Sequence, residues 1–269
     1  MQYDPIKRSL GNVFNQSVFL RKVFYNLLDL LLLRCWHIHK ELRTYKKTAG
    51  SNLQIFDAGA GFGQYSYWMY NFFKPCNILA VDVKDEQVAD CNQFFNKIGA
   101  TSNVTFIVGD LTQYQNPNNF NLVLCVDVME HIEDDNACFK NYHASLKPGG
   151  MLLISTPSDQ GGSDVHDGAD ASFIEEHVRD GYNITDIENK LKAAGFSKIE
   201  ARYNYGTPGK ISWRLSMKYP IQVLGISKLF FVLLPFYYLL VYPFCFVLNY
   251  CDTNMQHSTG TGLVVKAWK

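Results

Sequence analysis

Short apolar runs alternate with amphipathic stretches through the middle of the chain. Each apolar run is only long enough for a buried strand, and each stretch between them repeats its apolar residues with the period of a helix. The expected strands are residues 53–56, 78–81, 104–108, 122–126 and 151–155, and the expected helices are residues 64–73, 85–98 and 134–146. Strands that alternate with helices form parallel crossovers, so the pattern predicts a mainly parallel sheet with helices on both faces.

The pattern continues beyond the fifth strand. Thr185 and Glu188 have the spacing of a capping box, which predicts a helix that begins there and ends at Gly195. Two extended runs follow, at residues 197–203 and 262–268, and they predict two further strands.

A first strongly apolar region precedes this alternation. Residues 15–47 are expected to form one long helix or a broken pair of helices. Its polar residues fall on one narrow stripe, which comprises Lys22, Asn26, Asp29, His37 and Glu41. The remaining wide apolar face requires an apolar partner, which is either the protein core or a membrane or substrate.

A second apolar region has no charged residue over the 23 positions 229–251. It is long enough to span a bilayer. If residues 197–203 and 262–268 lie in one sheet, however, the chain must leave and return on the same side. We therefore expect the run to turn back at Pro235 and Pro243, as a monotopic hairpin or two interfacial helices. Lys210, Arg214 and Lys218 would then face lipid head groups. A buried helix pair in the core or in a dimer interface, and a single spanning helix, stay open as alternatives.

The charge balance and the cysteines narrow the class of protein. The 25 basic and 25 acidic residues cancel, so no overall field attracts nucleic acid, and we expect no nucleic-acid partner. The seven cysteines are scattered and form no C-x-x-C pair, which is typical of reduced thiols in a cytosolic protein. Polar residues precede the first apolar stretch, so we expect no secretory signal.

A glycine-rich turn follows the first expected strand directly. It contains Asp57, Gly59, Gly61 and Gly63, and it leads into a helix whose first N–H groups point at the turn. The glycine spacing is G-x-G-x-G, whereas a dinucleotide site has G-x-G-x-x-G. A carboxylate at Asp57 would repel a pyrophosphate, but it suits a cofactor with an ammonium group and no phosphate. This favours S-adenosylmethionine over a nicotinamide cofactor.

Further carboxylates stand at the ends of the next strands. Asp82 ends the second strand, where a carboxylate accepts hydrogen bonds from the hydroxyls of a ribose. Asp110 follows the third strand and is placed to accept from an adenine amino group. The alternative for both residues is a role as helix or turn caps. The fourth strand runs into Asp127, Glu130 and His131.

Residues 52–157, with this glycine turn, the sequence "EHI" and the sequence "LKPGG", resemble the class I S-adenosylmethionine-dependent methyltransferases, in particular the ubiquinone/menaquinone methyltransferase-like group. The resemblance implies an α/β, Rossmann-like, seven-stranded, mostly parallel sheet whose last two strands are antiparallel. With the apolar regions described above, we expect an N-terminal helical cap at 1–50 and a methyltransferase domain at 51–205 and 259–269. Residues 206–258 would form a hydrophobic insertion that associates with a membrane or caps the site.

The resemblance further implies the cofactor-binding residues. Those implied around the methionine moiety are Asp57, Gly59, Gly61 and Gly63. Asp82 is implied to bind the ribose and Val83 to line the adenine pocket. Asp110 and Leu111 are implied to bind the adenine, and Cys125 and Val126 to present backbone groups near the cofactor amino group. Cys125 is expected to be an apolar filler rather than a nucleophile, because a sulfonium methyl needs no enzyme nucleophile.

The acceptor side is predicted from polar residues after the fourth and fifth strands. His131 is the first candidate for a general base. Two alternatives stay open: Glu130 and His131 bind a divalent ion, as in some relatives, or they hold the start of a helix. No other metal is expected. The long polar loop after the fifth strand predicts a lid, in which His166 is a second candidate base oriented by Asp167. The residues expected to contact cofactor or acceptor, unless they only pack or face solvent, are Tyr65, His177 and Arg179.

Together these features predict an S-adenosylmethionine-dependent methyltransferase, EC 2.1.1, with a lipophilic acceptor. We expect O-methylation of a lipid, phenol or quinone precursor by a cytoplasmic protein that is peripheral or monotopic on the membrane. One alternative is an N- or C-methyltransferase for a soluble small molecule, in which the insertion is core or dimer interface. Another is a non-catalytic, membrane-docked module that binds the cofactor.

Overall fold

The central feature is a seven-stranded sheet. The computed structural model describes residues 17–161 and 178–269. The strands are β1 (Leu53–Ala58), β2 (Cys76–Asp82), β3 (Val104–Val108), β4 (Phe120–Val126), β5 (Leu146–Pro157), β6 (Lys198–Asn204) and β7 (Gly262–Trp268). Their order is β3-β2-β1-β4-β5-β7-β6, and only β7 runs antiparallel to its neighbours. The predicted Rossmann-like, mostly parallel sheet is confirmed, and the strand order reverses between β1 and β4, where such sheets bind ligands.

Helices cover both faces of this sheet. They are α1 (Val18–Leu31), α2 (Leu33–Lys46), α3 (Gln64–Phe73), α4 (Asp85–Lys97), α5 (Asp135–Ser145), α6 (Ile184–Ala193), α7 (Thr207–Trp213), α8 (Tyr219–Ile226) and α9 (Leu234–Asn254). Alternate residues of β1 point to opposite faces: Ile55 packs in one buried cluster with Met69 and Phe94, and Phe56 packs in the other with Phe139. Truncation of such a fully buried ring to alanine costs about 3–5 kcal/mol of stability.

Of two sequence predictions about helices, the broken pair near the N-terminus is present and the capping box at Thr185 is not. The apolar region near the N-terminus is two helices, because Leu32 has an extended backbone (φ −87°, ψ 112°) between α1 and α2. The side chain of Asn183, rather than that of Thr185, caps α6 by accepting from the Thr185 N–H at 2.9 Å. The predicted capping box is therefore wrong. The predicted end of this helix is confirmed, since Gly195 has a positive φ of 106° just after it.

The insertion between β6 and β7 is a helical hairpin. A π-helical segment, Arg214–Lys218, joins α7 to α8, and a short 3-10 segment, Lys228–Val232, joins α8 to α9. The turn begins at Ser227, which is extended and whose side chain accepts from Leu229 N–H. Pro235 lies in the first turn of α9, as a proline is tolerated there, but Pro243 lies inside this 21-residue helix without ending it. The expected return to the same side of the sheet is confirmed, while the predicted break at Pro243 is wrong.

A buried carboxylate fixes the hairpin to the rest of the protein. Asp252 on α9 is fully buried and accepts from His37 Nε2 (2.9 Å), Tyr205 N–H (3.1 Å) and Gly209 N–H (2.9 Å). Arg202 donates to the other ring nitrogen of His37, at 3.2 Å, so the proton of the neutral imidazole lies on Nε2. Burial lowers the pKa of His37 and keeps it neutral. Burial alone would raise the pKa of Asp252, but its hydrogen bond from His37 holds that pKa below the ordinary value.

Candidate cofactor and acceptor site

The turn after β1 has the backbone that its glycines predict. Gly59, Gly61 and Gly63 have φ values of 76°, 51° and 74°, in the left-handed region that favours glycine. The Gly59 N–H donates to Val81 O at 2.8 Å, which fastens the turn to β2. A Cβ atom on Gly59 would lie only 2.3 Å from Cγ2 of Val128. The turn therefore passes against the segment after β4 with no room for a side chain.

Asp57 lies beneath this turn at the end of β1. Its side chain is only 3% exposed, and it accepts a hydrogen bond of 2.6 Å from Ser66 Oγ at the start of α3. Burial raises the pKa of Asp57 to about 7, and the charge of Asp82 adds to the effect. A cation placed beside this carboxyl group would stabilise its ionised form.

The two carboxylates after β2 and β3 both make local caps. Asp82 accepts from Gly61 N–H (2.8 Å) and Lys84 N–H (3.0 Å), so it also holds the glycine turn in place. Asp110 accepts from the N–H and the hydroxyl of Thr112, at 2.8 and 2.7 Å. The capping roles that we considered for both residues are therefore present. They are compatible with ligand binding, because both residues lie at the carboxyl edge of the sheet.

The other predicted cofactor residues differ in their exposure. Val83 is 64% exposed beside Asp82, whereas Leu111 and Cys125 are buried and Val126 is partly buried. Burial holds the pKa of Cys125 well above its ordinary value. The buried, protonated thiol agrees with the expected role of Cys125 as a filler.

Helix α1 covers the glycine turn from outside. Arg21 is 4% exposed and donates to Phe62 O at 3.1 Å and to Asp90 O at 3.2 Å, and the hydroxyl of Tyr25 also donates to Phe62 O. These contacts were missed by sequence reasoning. The available signal was a single arginine on the otherwise apolar face of an amphipathic helix.

Acidic residues gather after β4, in the segment that passes against the glycine turn at Val128. Asp127 has a positive φ of 52° and pairs with Arg34 of α2. Glu130 is 2% exposed and accepts from Thr156 Oγ1 at 3.2 Å. Burial, followed by the charge of Asp127, raises the pKa of Glu130 above its ordinary value. Glu130 is therefore a buried group that can hold a proton at this edge of the sheet.

Two tyrosines complete this side. Tyr205, after β6, also has a positive φ (54°), and its hydroxyl accepts from the Arg34 N–H at 3.1 Å. Strained backbone of this kind is common at functional sites. Tyr65 contacts Cys35 Sγ at 3.3 Å rather than closing over the turn. Arg34 and Tyr205 were not predicted, because no local motif marks residues that meet only after folding.

The remaining residues predicted for the acceptor side lie in different places. His131 is exposed at the end of the 3-10 segment Met129–His131. Arg179 binds Asp135 and Tyr182 and donates to Ile132 O at 2.7 Å, which gives it a structural role, and its predicted contact with an acceptor stays a prediction. His166, Asp167 and His177 lie outside the described residues. Within residues 17–161 and 178–269, no group of three His, Cys, Asp or Glu side chains could hold a metal ion.

A family model and two curated proteins match the central part of the chain. A family model described as "Methyltransferase domain" matches residues 49–198. Malonyl-[acyl-carrier protein] O-methyltransferase 2 of Ilyobacter polytropus is 28% identical over 120 residues, which are 45% of each chain. Ubiquinone biosynthesis O-methyltransferase of Colwellia psychrerythraea is 26% identical over 105 residues, 39% of this chain and 42% of that one. The chain thus matches less than half the length of these relatives.

A solved structure extends the likeness to most of the fold. Phosphoethanolamine N-methyltransferase 2 of Haemonchus contortus, in complex with S-adenosyl-L-methionine, superposes with a TM-score of 0.60 and 22% identity. The match covers 86% of this chain and 52% of that chain. At this level of identity the comparison establishes the shared fold.

Proposed function

This chain belongs to the class I S-adenosylmethionine-dependent methyltransferases, and from that premise we propose that its acceptor is lipophilic and is methylated on oxygen at a membrane surface. S-adenosylmethionine supplies a methyl group that the adjacent sulfonium already activates. The protein must therefore bind both reactants, align them and exclude water.

The residues present fit this cofactor. The turn has three left-handed glycines, and at Gly61 the space that a Cβ atom would occupy is open, so a ligand can approach the backbone there. Asp57 is a buried carboxyl group that a cationic amino group would stabilise. We assign Asp57 and the glycine turn to the methionine moiety, Asp82 to the ribose and Asp110 to the adenine.

The lipophilic acceptor is supported by one observation, which is the position of the exposed apolar surface of α9. Arg34 on α2 pairs with Asp127 at the end of β4, and Trp36, two residues later, packs on Phe246 of α9 with ring centroids 4.9 Å apart. Arg34 and Trp36 are about 3 Å apart along the axis of α2. The end of β4 and the exposed surface of α9 are therefore contacted by the same turn of α2.

An oxygen acceptor must lose its proton as it is methylated. We assign this step to His131, at the carboxyl edge of the sheet, with Glu130 and Asp127 as the neighbouring acids. The domain assignment follows: residues 51–205 and 259–269 catalyse, 1–50 cap the site and 206–258 meet the membrane. Free thiols at all seven cysteines support a cytoplasmic location.

The test uses methyl-labelled S-adenosylmethionine and a total lipid extract from the host. We expect label in the organic phase, and much less of it with the Asp82→Ala variant when the cofactor is below saturation. Label found only in water-soluble amines would instead favour the N-methyltransferase alternative and reject the lipid acceptor.

The pKa of Asp57 gives a pH prediction for cofactor binding. Binding of an ammonium group requires the carboxylate, so affinity for S-adenosylhomocysteine should rise up to about tenfold per pH unit below a pH of about 7 and then level off. In the protein without ligand the sign is opposite: the raised pKa stabilises the fold at low pH, and this contribution is lost as pH rises through about 7. Calorimetry across this range measures the binding term.

Asp57→Asn is the control for this pH dependence. Its affinity should be lower at high pH and nearly independent of pH. A flat profile in the unmodified protein would contradict the assignment of Asp57 to the amino group.

A further inference from the structure

One face of the helical hairpin is apolar and exposed along its whole length. On α9 the residues of this face are Phe236, Leu239, Leu240, Phe244, Val247 and Tyr250, and at the tip they are Ile226, Leu229, Val232 and Leu233. Leu229 is 81% exposed and Leu239 is 74% exposed, while the opposite side of α9, with Cys245, Asn249 and Asp252, is buried. We call these ten exposed residues the docking face. It runs about 21 Å along α9 from Phe236 to Tyr250, and an apolar surface of this extent marks an interaction site.

Several polar groups beneath the docking face are satisfied within the hairpin, although Asn249 Nδ2 is buried without a hydrogen-bond partner. The hydroxyls of Tyr237 and Tyr238 donate to the carbonyls of Leu215 and Ser216 in the π-helical segment, both at 2.7 Å. Ser212 Oγ donates to Asn249 Oδ1 at 2.6 Å. A surface that enters hydrocarbon must satisfy its backbone in this internal way, because lipid chains offer no hydrogen bonds.

The charge pattern agrees with a lipid partner. Between residues 203 and 251 the chain has no acidic residue and four basic ones, which are Lys210, Arg214, Lys218 and Lys228. All four lie outside the uncharged run of α9. Basic residues that flank an apolar surface complement the anionic head groups of a bilayer. By length and composition α9 is also the one helix among the described residues that could cross a membrane.

The hairpin meets the cap helices at the break between α1 and α2. Leu30 O accepts from Trp36 Nε1 at 2.9 Å and from the hydroxyl of Tyr242 on α9. Leu30 is 40% exposed and Phe246, which packs on Trp36, is 46% exposed. We call Leu30, Trp36, Tyr242 and Phe246 the seam. The seam joins the docking face to the turn of α2 from which the side chain of Arg34 pairs with Asp127.

We propose that the docking face enters one leaflet of a phospholipid bilayer and that the seam is the lateral entrance through which the hydrocarbon chain of the acceptor reaches the end of β4. The proposal rests on the proposed function for its acceptor. The head of the acceptor lies among Arg34, Asp127 and Tyr205, and its chain leaves over Trp36 into the leaflet. The acceptor therefore never has to leave the membrane.

Quenching of tryptophan fluorescence by brominated lipids tests this arrangement. Two single-tryptophan proteins are made by replacing the other three tryptophans with phenylalanine, one keeping Trp36 and the other keeping Trp268. Each is mixed with phosphatidylcholine–phosphatidylglycerol vesicles that carry bromine on their acyl chains. Trp36 should lose most of its emission. Trp268, at the end of β7, should keep its emission.

A matched pair of glutamate variants connects the seam to the docking face. Leu240→Glu, in the Trp36 protein, should abolish vesicle binding and quenching. Val108→Glu, at an exposed valine at the end of β3, should change neither. Equal quenching of Trp36 and Trp268, no quenching of Trp36, or unchanged quenching in Leu240→Glu would each overturn the proposal.

Two further outcomes separate this proposal from its neighbours. If light scattering finds a stable dimer that Leu240→Glu disrupts and that does not bind vesicles, the docking face is an interface between copies and the proposal fails. Quenching requires no turnover, so a failure to methylate any lipid would reject the proposed function while leaving the docked arrangement intact.

Discussion

The Gly59→Ala protein is expected to be less stable by about 2–5 kcal/mol and to bind no S-adenosylhomocysteine at concentrations that saturate the unmodified protein. A left-handed backbone costs a residue with a Cβ atom about 1–2 kcal/mol. The new methyl group would also overlap Val128 at 2.3 Å, and such overpacking costs about 1–3 kcal/mol more. Denaturant unfolding and calorimetric titration measure the two effects.

Gly61→Ala is the matched control for this substitution. Gly61 has a similarly positive φ of 51°, but a Cβ atom there would meet nothing within 4 Å. Only the backbone term of about 1–2 kcal/mol should remain. Addition of Val128→Ala to Gly59→Ala should restore part of the lost stability. Equal losses in the two glycine variants, or no recovery with Val128→Ala, would show that close approach of the turn to Val128 is unimportant.

Asp82→Ala should weaken binding of S-adenosylhomocysteine by about 10- to 100-fold. The carboxylate supplies acceptors for the ribose hydroxyls, and hydrogen bonds to a charged group contribute about 1.5–3 kcal/mol. The substitution also frees Gly61 N–H, which Asp82 accepts at 2.8 Å, so the turn loses an anchor as well as a ligand contact. Titration calorimetry measures the affinity.

The control for Asp82→Ala is Asp186→Ala. It removes the same charge from an exposed position on α6, where the partner is Lys190 at 3.8 Å. Surface pairs of this kind contribute little, so affinity should not change. A loss shared by both variants would point to overall charge, and no loss in Asp82→Ala would remove Asp82 from the ribose site.

The sheet and the cofactor edge were predictable because their signals are local. The strands of a buried parallel sheet are continuous apolar runs. Here such runs lead into carboxylates, such as Asp82, Asp110 and Asp127. The glycines predicted a left-handed turn, and Gly59, Gly61 and Gly63 all have a left-handed backbone. The apolar strands and the left-handed turn each depend only on the few residues around the position.

The acceptor side was less predictable because its contacts join distant segments. Arg34 and Asp127 are 93 residues apart, and Arg34 and Tyr205 are 171 apart. No periodicity along the chain records such pairs. A broken pair of helices was one expected arrangement, but the position of the break at Leu32 was hidden, since leucine favours helix and only tertiary packing overrides that preference. Pro243 was expected to break the helix, because a proline inside a helix costs about 3 kcal/mol. The packing of α9 on α7 offsets this cost, and the helix continues.

The burial of Asp252 determines how the hairpin can be transplanted. A graft cut at its two ends would carry Asp252 with Gly209 but would leave its carboxylate buried without the ring of His37 and the N–H group of Tyr205. An engineer who wishes to give another methyltransferase this hairpin must therefore move residues 205–257 together with a histidine at the position of His37. The cap helix and the hairpin are one exchangeable part.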